Sequence, residues 1–146
     1  MTMTPLSCYI LTHNSERRLA QVLASIQPVA DEILIVDSGS TDQTLDIARR
    51  FGATILTRRF DNFRDQRIFA EDHCTLPWVL ALDSDEVVSE ALGKRLQHLK
   101  NTQFQTEAGP APDGFAIRRN WFFMGQPVRN FYPVKTPEFI VRLFQR

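Results

Sequence analysis

The amino-acid sequence predicts an α/β fold in which helices cover both faces of a mostly parallel sheet. Short apolar runs alternate along the chain with segments whose apolar residues recur at helical spacing. The runs are unbroken, as in strands buried on both faces. Three of them end in polar residues, and right-handed crossovers would bring those residues to one edge of the sheet, where open α/β sheets bind ligands.

Four strands are predicted before residue 100, at residues 6–11, 32–36, 53–57 and 78–82. Four helices are predicted between and after them. Their apolar faces comprise Leu19, Val22, Leu23 and Ile26, then Thr44, Ile47, Ala48 and Phe51, then part of residues 63–74, and finally Val88, Leu92, Leu96 and Leu99. Residues 101–113 are polar and rich in glycine and proline, which indicates a loop, and residues 115–119 and 139–144 predict two further strands.

The ends of the first two helices carry recognisable signals. Asn14 or Ser15 can cap the start of the first helix. Ser40 with Gln43 forms a capping-box pattern before the second helix, and Gly52 is placed to end that helix.

Composition sets limits on the function. The 146 residues include 17 basic and 17 acidic side chains, and this zero balance argues against a general nucleic-acid-binding protein. The two cysteines do not form a disulfide framework, so free buried thiols in a reducing compartment are expected. Because no signal peptide or membrane span is evident, we expect a cytoplasmic location.

The C-terminal segment differs from the rest. Residues 115–146 contain six basic residues and one acid, a net charge of +5, together with many aromatic residues. The basic residues are Arg118, Arg119, Arg129, Lys135, Arg142 and Arg146, and the aromatic residues include Trp121, Phe122, Phe123, Phe131 and Tyr132. Such a segment can lie at the anionic inner face of the plasma membrane or hold an anionic lipid-linked acceptor, and it can equally be part of a core whose partners are missing.

Asp83 and Asp85 follow the fourth apolar run, one residue apart. Two carboxylates placed in this way can share Mg²⁺ or Mn²⁺, which prefer oxygen ligands and keep positions open for phosphate oxygens. The alternative is an acidic helix start.

Two further polar clusters follow the first and second runs. Asp37 can accept hydrogen bonds from a base or ribose, or it can form a turn. Thr12, His13 and Asn14 can contact a nucleotide, although the sequence favours a hydrogen-bonded structural role for His13 over a ligand contact. Glycine-rich dinucleotide and P-loop motifs are absent from the sequence.

Arg64 and Arg67 lie one helical turn apart before the fourth strand. Their guanidinium groups can bind phosphate oxygens or lie on a solvated helix face.

Three segments together resemble family 2 glycosyltransferases, and among these the bacterial lipopolysaccharide-core β-glucosyltransferases. They are residues 9–14 (YILTHN), 33–42 (ILIVDSGSTD) and 78–86 (WVLALDSDE), and residues 139–146 (FIVRLFQR) resemble a strand of the acceptor half. The resemblance implies a GT-A fold, a nucleotide-diphosphate sugar donor and an inverting transfer to a cell-envelope glycan or lipid-linked acceptor. It divides the chain into a donor-binding half, residues 1–100, and the incomplete start of an acceptor-binding half, residues 101–146.

The resemblance also implies roles for single residues. Thr12 and Asn14 would line the nucleotide pocket, Asp37 would bind the base or ribose, and Arg67 would lie near the diphosphate. Asp83 and Asp85 match the D-x-D motif, in which the second aspartate is the more direct ligand of Mg²⁺ or Mn²⁺ and the first also contacts the donor.

The general base of the resembling enzymes follows the strand similar to residues 139–144, so we expect the chain to be a truncated form whose base lies beyond Arg146. Two alternative functions fit the same residues. One is a sugar nucleotidyltransferase, and the other is a non-catalytic sugar-nucleotide-binding module.

Overall fold

The computed structural model describes residues 3–128, 130–131, 134–135 and 138–146. Arg129 and Tyr132 of the basic aromatic segment lie outside the described residues. The helices are α1 Leu19–Ile26, α2 Thr44–Arg50, α3 Phe63–His73 and α4 Glu90–Asn101. The strands are β1 Leu6–Thr12, β2 Glu32–Asp37, β3 Thr54–Thr57, β4 Trp78–Asp83, β5 Gly114–Arg119, β6 Trp121–Phe123, β7 Gln126–Val128, β8 Asn130–Phe131, β9 Val134–Lys135 and β10 Glu138–Gln145.

Six strands form one sheet in the order β3-β2-β1-β4-β10-β5. Strands β1 to β4 are mutually parallel, whereas β10 runs antiparallel to both β4 and β5. The predicted mostly parallel sheet is therefore confirmed, with β10 inserted between β4 and β5. The strand order changes direction between β1 and β4, so the ligand-binding edge is expected there.

Side chains of β1 alternate between the two faces of the sheet because successive residues of a strand point to opposite sides. Cys8 and Ile10 belong to a core that includes buried residues of α1, α2 and α4, and Tyr9 belongs to a second core on the face covered by α3. The prediction that helices cover both faces is thus confirmed. Burial raises the pKa of the Cys8 thiol and raises that of Cys74 to about 12, which fits two free thiols.

The predicted caps of the first two helices are wrong. Helix α1 is preceded by Arg18, which makes no capping contact, and the side chain of Asn14 instead accepts a hydrogen bond from the amide of Thr41. Ser40 donates its hydroxyl to Asp37, while the Thr44 amide at the start of α2 donates to Asp42. In each case the predicted capping side chain is bonded to a neighbouring loop or strand end instead of to the helix.

Other local predictions agree with the structure. Gly52 follows α2 with a φ of +70°, a left-handed conformation that glycine adopts without steric cost. Residues 102–113 connect α4 to β5, and this loop contributes one aromatic side chain to the core. Phe104 is buried and stacks on Trp78 with the ring centroids 4.0 Å apart.

None of the helices in the described part of the chain is long and apolar enough to cross a membrane.

Candidate functional site

The three polar clusters lie together at the carboxyl edge of the sheet. Thr12 of β1 is in register with Asp37 of β2, and Leu11 is in register with Asp83 of β4. Because the three strands are parallel neighbours, their ends meet at the point where the strand order reverses. The convergence expected from the sequence is present.

Asp37 is the hydrogen-bonded centre of the turn after β2. Its carboxylate accepts hydrogen bonds from the Thr12 hydroxyl at 2.8 Å, from the Gly39 and Ser40 amides at 2.9 and 2.8 Å, and from the Ser40 hydroxyl. The residue is inaccessible to solvent. In this conformation Asp37 and Thr12 shape the turn, and a direct contact of Asp37 with a base or ribose would require the turn to shift.

Asn14 links the loop after β1 to the loop after β2. Its backbone is left-handed, with a φ of 46°, a conformation that asparagine tolerates better than most residues. Its backbone N–H donates to the Ser40 hydroxyl at 2.9 Å, and its side-chain oxygen accepts a hydrogen bond from the backbone N–H of Thr41 at 2.9 Å. Nearby, the Ser15 amide donates to the Thr44 hydroxyl at 2.7 Å. These reciprocal bonds hold the two loops in one arrangement before any ligand arrives.

Asp83 is paired with two arginines. Its Oδ1 lies 2.8 Å from Arg67 of α3, and its Oδ2 lies 2.7 Å from Arg142 of β10. Burial alone would lower the pKa of Arg67, but the charge and hydrogen-bond contributions of Asp83 and Tyr9 together raise that pKa. Arg67 thus lies beside Asp83, and its partner there is a protein carboxylate. Arg64 instead points into solvent and lies 3.7 Å from Asp65.

The ion pairs continue away from Asp83. Arg142 also contacts Glu86 at 3.0 Å, Glu86 contacts Arg119 at 3.1 Å, and Arg119 contacts Glu138 at 2.7 Å. This network could not be predicted from the sequence, because its members are scattered over 76 positions between α3 and β10 and become neighbours only through the sheet.

Asp85 differs from Asp83 because it is exposed to solvent. The neighbouring Ser84 is anchored, since its hydroxyl accepts a hydrogen bond from Ser15 at 2.9 Å. Among the residues that the structure describes, no group of three histidine, cysteine, aspartate or glutamate side chains forms a ready metal site. Asp85 nevertheless fits the way Mg²⁺ is commonly held, by one or two carboxylates with substrate phosphates completing the coordination.

A cavity of about 570 Å³ opens beside Asp85. One wall is polar and the other is apolar and aromatic. The lining residues are Leu11, Thr12, His13, Ser38, Phe60, Phe63, Gln66, Asp83, Ser84 and Asp85.

Phe60, Phe63 and Gln66 were missed by sequence reasoning. The two rings contact each other edge to face, with centroids 5.0 Å apart, and both remain exposed. Two phenylalanines three residues apart, at and just before the start of a polar helix, are a signal that the sequence itself contains. Gln66 is buried and donates to the Ser38 hydroxyl at 3.1 Å, and nothing in the local sequence indicates that contact.

The chain is similar in sequence to known glycosyltransferases. The family model described as "Glycosyl transferase family 2" matches residues 7–142. An uncharacterised glycosyltransferase of Rickettsia typhi is 35% identical over 97 residues, which cover 66% of this chain and 33% of that protein. The lipopolysaccharide core biosynthesis glycosyltransferase LpsC of Rhizobium meliloti is 35% identical over 100 residues, covering 65% of this chain and 37% of LpsC. The matched region thus spans about a third of the length of these relatives.

A solved structure shares the fold. Glucosyl-3-phosphoglycerate synthase from Mycobacterium tuberculosis, crystallised with Mn²⁺ and UDP-glucose, superposes with a TM-score of 0.50 at 24% identity. The superposition covers 57% of this chain and 34% of that protein. The likeness confirms the predicted GT-A fold.

Proposed function

Because the chain belongs to glycosyl transferase family 2, we propose that it binds a nucleoside-diphosphate sugar and transfers the sugar to an acceptor hydroxyl. The observation that carries the proposal is the meeting of Thr12, Ser38 and the Asp83–Asp85 turn around one cavity at the switch point of the sheet.

The two walls of the cavity suit the two parts of a nucleotide. The aromatic wall of Phe60 and Phe63 offers ring faces to a base, and the polar wall offers Thr12, His13 and Ser38 to the ribose. The buried Asp37 holds the turn that presents Ser38, and Asn14 fixes the facing loop.

Asp85 is the proposed ligand of Mg²⁺ or Mn²⁺, with Asp83 beside it. When bound, the cation would neutralise negative charge on the departing diphosphate. The solved structure with Mn²⁺ and UDP-glucose supports this choice of ion. Both oxygens of Asp83 already contact arginines, so Asp83 acts mainly by holding Arg67 and Arg142 near the diphosphate. Arg142 is buried, whereas Arg67 is partly exposed and has N–H donors beyond its bond to Asp83, which leaves donors for phosphate oxygens.

An inverting transfer needs a general base to take the proton of the acceptor hydroxyl. Glu138 is poorly suited, because its hydrogen bonds with Arg119 lower the pKa of the carboxyl and make it a weaker base. Glu86 is held by Arg119 and Arg142. Neither carboxylate is therefore assigned as the general base.

The acceptor in this proposal is a cell-envelope glycan or a lipid-linked sugar. The similarity to a lipopolysaccharide core glycosyltransferase supports this class.

The reaction products test the proposal. The protein is incubated with Mn²⁺ and a set of nucleoside-diphosphate sugars, and the released nucleotide is measured. Sugar transfer or slow donor hydrolysis yields free nucleoside diphosphate. Asp85→Asn is expected to reduce this release at least about a hundredfold, the scale of losing a main electrostatic contact to the leaving group. Asp72→Asn, at an exposed position on α3, is the matched control and should leave release unchanged.

The other outcomes distinguish the alternatives. Pyrophosphate released from a nucleoside triphosphate and a sugar phosphate would favour a nucleotidyltransferase. Donor binding without any turnover would favour a non-catalytic binding module.

A further inference from the structure

The β6–β7 hairpin is an isolated apolar element. Among the residues that the structure describes, Trp121–Phe123 pairs with Gln126–Val128 alone, in a two-stranded sheet separate from the main sheet. The side chains of Phe122, Phe123 and Met124 are exposed to 66%, 68% and 87%. Large apolar side chains clustered in this way mark a surface that meets something other than water.

The hairpin is apolar on both of its faces. Successive residues of a strand point to opposite sides, so Phe122 and Phe123 lie on opposite faces, yet both are exposed. A protein partner would usually cover one face of a hairpin and leave the other polar. A hairpin that is apolar on both faces and at its tip suits immersion in an apolar medium.

The turn between the two strands also suits an apolar medium. Met124 and Gly125 join the two strands with φ values of 48° and 77°. Two-residue hairpin turns of this left-handed type favour asparagine, aspartate and glycine. Met124 is therefore strained, and asparagine would satisfy both the backbone and solvent better. The most exposed large apolar residue in the described part of the chain, Met124, instead stands at the tip.

The base of the hairpin has the character of a membrane interface. Trp121 is partly exposed, its indole N–H donates to Glu138, and the Arg119 guanidinium lies 4.5 Å from the centre of its ring. Tryptophan is enriched at the depth of lipid headgroups. Arg118 is exposed and lies opposite Phe139, which is also exposed. The surrounding segment, residues 115–146, has a net charge of +5 in the sequence, and although Arg119 and Arg142 are paired with acids of the fold, the remaining excess of basic residues is complementary to anionic lipids.

We propose that the β6–β7 hairpin inserts its tip into an anionic phospholipid surface. Phe122, Phe123 and Met124 enter the boundary between headgroups and acyl chains, Trp121 lies at headgroup level, and Arg118 contacts lipid phosphates. This anchoring is independent of the proposed transferase activity and can be tested without it.

Vesicle flotation tests the proposal. Parent protein is mixed with vesicles of phosphatidylethanolamine and phosphatidylglycerol, and separately with vesicles of phosphatidylcholine alone. The parent should float with the anionic vesicles. Replacing Phe122, Phe123 and Met124 together by serine should lower the partition coefficient at least about tenfold, since burying even one large apolar side chain is worth that much. Phe63→Ser removes an aromatic residue of similar exposure, 64%, from another part of the surface and should change partitioning less than about twofold.

Two further measurements sharpen the result. Arg118→Glu should weaken binding to anionic vesicles several-fold, with a loss that shrinks at high salt. Brominated acyl chains should quench the fluorescence of Trp121, whereas Trp78 is buried and should be largely protected.

The proposal is overturned if folded parent protein ignores anionic vesicles, or if the triple-serine variant partitions as the parent does. It is also overturned if sedimentation shows that the hairpin mediates self-association in the absence of vesicle binding, because the patch would then be a protein contact.

Discussion

At the scale of single residues, Arg142 is the side chain on which the ion-pair network depends. It comes from a β-bulge between Val141 and Leu143, is almost fully buried, and bridges Asp83 and Glu86. Bulges redirect a side chain from the regular alternation of a strand, and this one directs a guanidinium to the end of β4.

Replacing Arg142 by methionine keeps most of the volume and removes the charge. Asp83 and Glu86 then each lose one partner in a partly buried site, so the free energy of unfolding should fall by about 1–3 kcal/mol. Urea unfolding measures the change. Arg49→Met is the matched control, because the Arg49–Asp46 pair is exposed and should contribute less than about 0.5 kcal/mol. If both substitutions lowered the free energy of unfolding equally, the buried network would stabilise the fold no more than an exposed ion pair does.

Glu32 makes stability depend on pH. Burial alone would raise the pKa of this carboxyl, but hydrogen bonds from the Ser7 hydroxyl and from the amide and hydroxyl of Thr75 lower it below 4.5. A carboxyl whose folded-state pKa is lowered stabilises the protein above its unfolded-state pKa, and this contribution is lost as pH falls through the folded-state pKa.

Glu32→Gln should therefore lower the free energy of unfolding at neutral pH. The difference in this free energy between variant and parent should become smaller as pH falls from about 6 to about 3. Chemical unfolding at a series of pH values measures it. A difference that stays constant across this range would contradict the assignment of the lowered pKa to Glu32.

At the scale of elements, α3 matters because it delivers Gln66 and Arg67 to the site. The helix begins with a true cap, since the Asn62 side chain accepts a hydrogen bond from the Asp65 amide. Helix α2 shows the contrast, because its N-cap residue Gln43 makes no side-chain capping bond.

Asn62→Ala is expected to lower the free energy of unfolding by about 1 kcal/mol, the usual cost of losing an asparagine cap. Gln43→Ala should cost less than about 0.5 kcal/mol, because no capping bond is lost. Thermal or urea unfolding of both variants gives the comparison. A larger loss from Gln43→Ala than from Asn62→Ala would contradict these cap assignments.

Elements could be predicted from sequence where the signal is local. The apolar runs of β1, β2 and β4 define strands because each is buried on both faces. The caps of α1 and α2 could not be predicted, since the partners of Asn14 and Ser40 lie in other loops or at the end of a strand. The β6–β7 hairpin was also missed, because Met124-Gly125 lacks the usual turn residues.

At the scale of the whole molecule, the parallel arrangement of the first four strands follows from their alternation with helices along the chain. The insertion of β10 between β4 and β5 does not follow from a general rule, because the pairing of β10 with β4 depends on contacts between segments about 60 residues apart. The position of the site could be predicted from the polar ends of three strands. Its aromatic wall and arginine network could not, as their members become neighbours only in the folded chain.

The central claim is that the ends of β1, β2 and β4 form a metal-assisted nucleotide site, and calorimetric titration of UDP tests it most directly. We predict that UDP binds the folded protein in the presence of Mn²⁺, that binding weakens strongly without the metal, and that Asp85→Ala abolishes the metal dependence. Binding that is equally tight with and without Mn²⁺, or unchanged in Asp85→Ala, would contradict the claim.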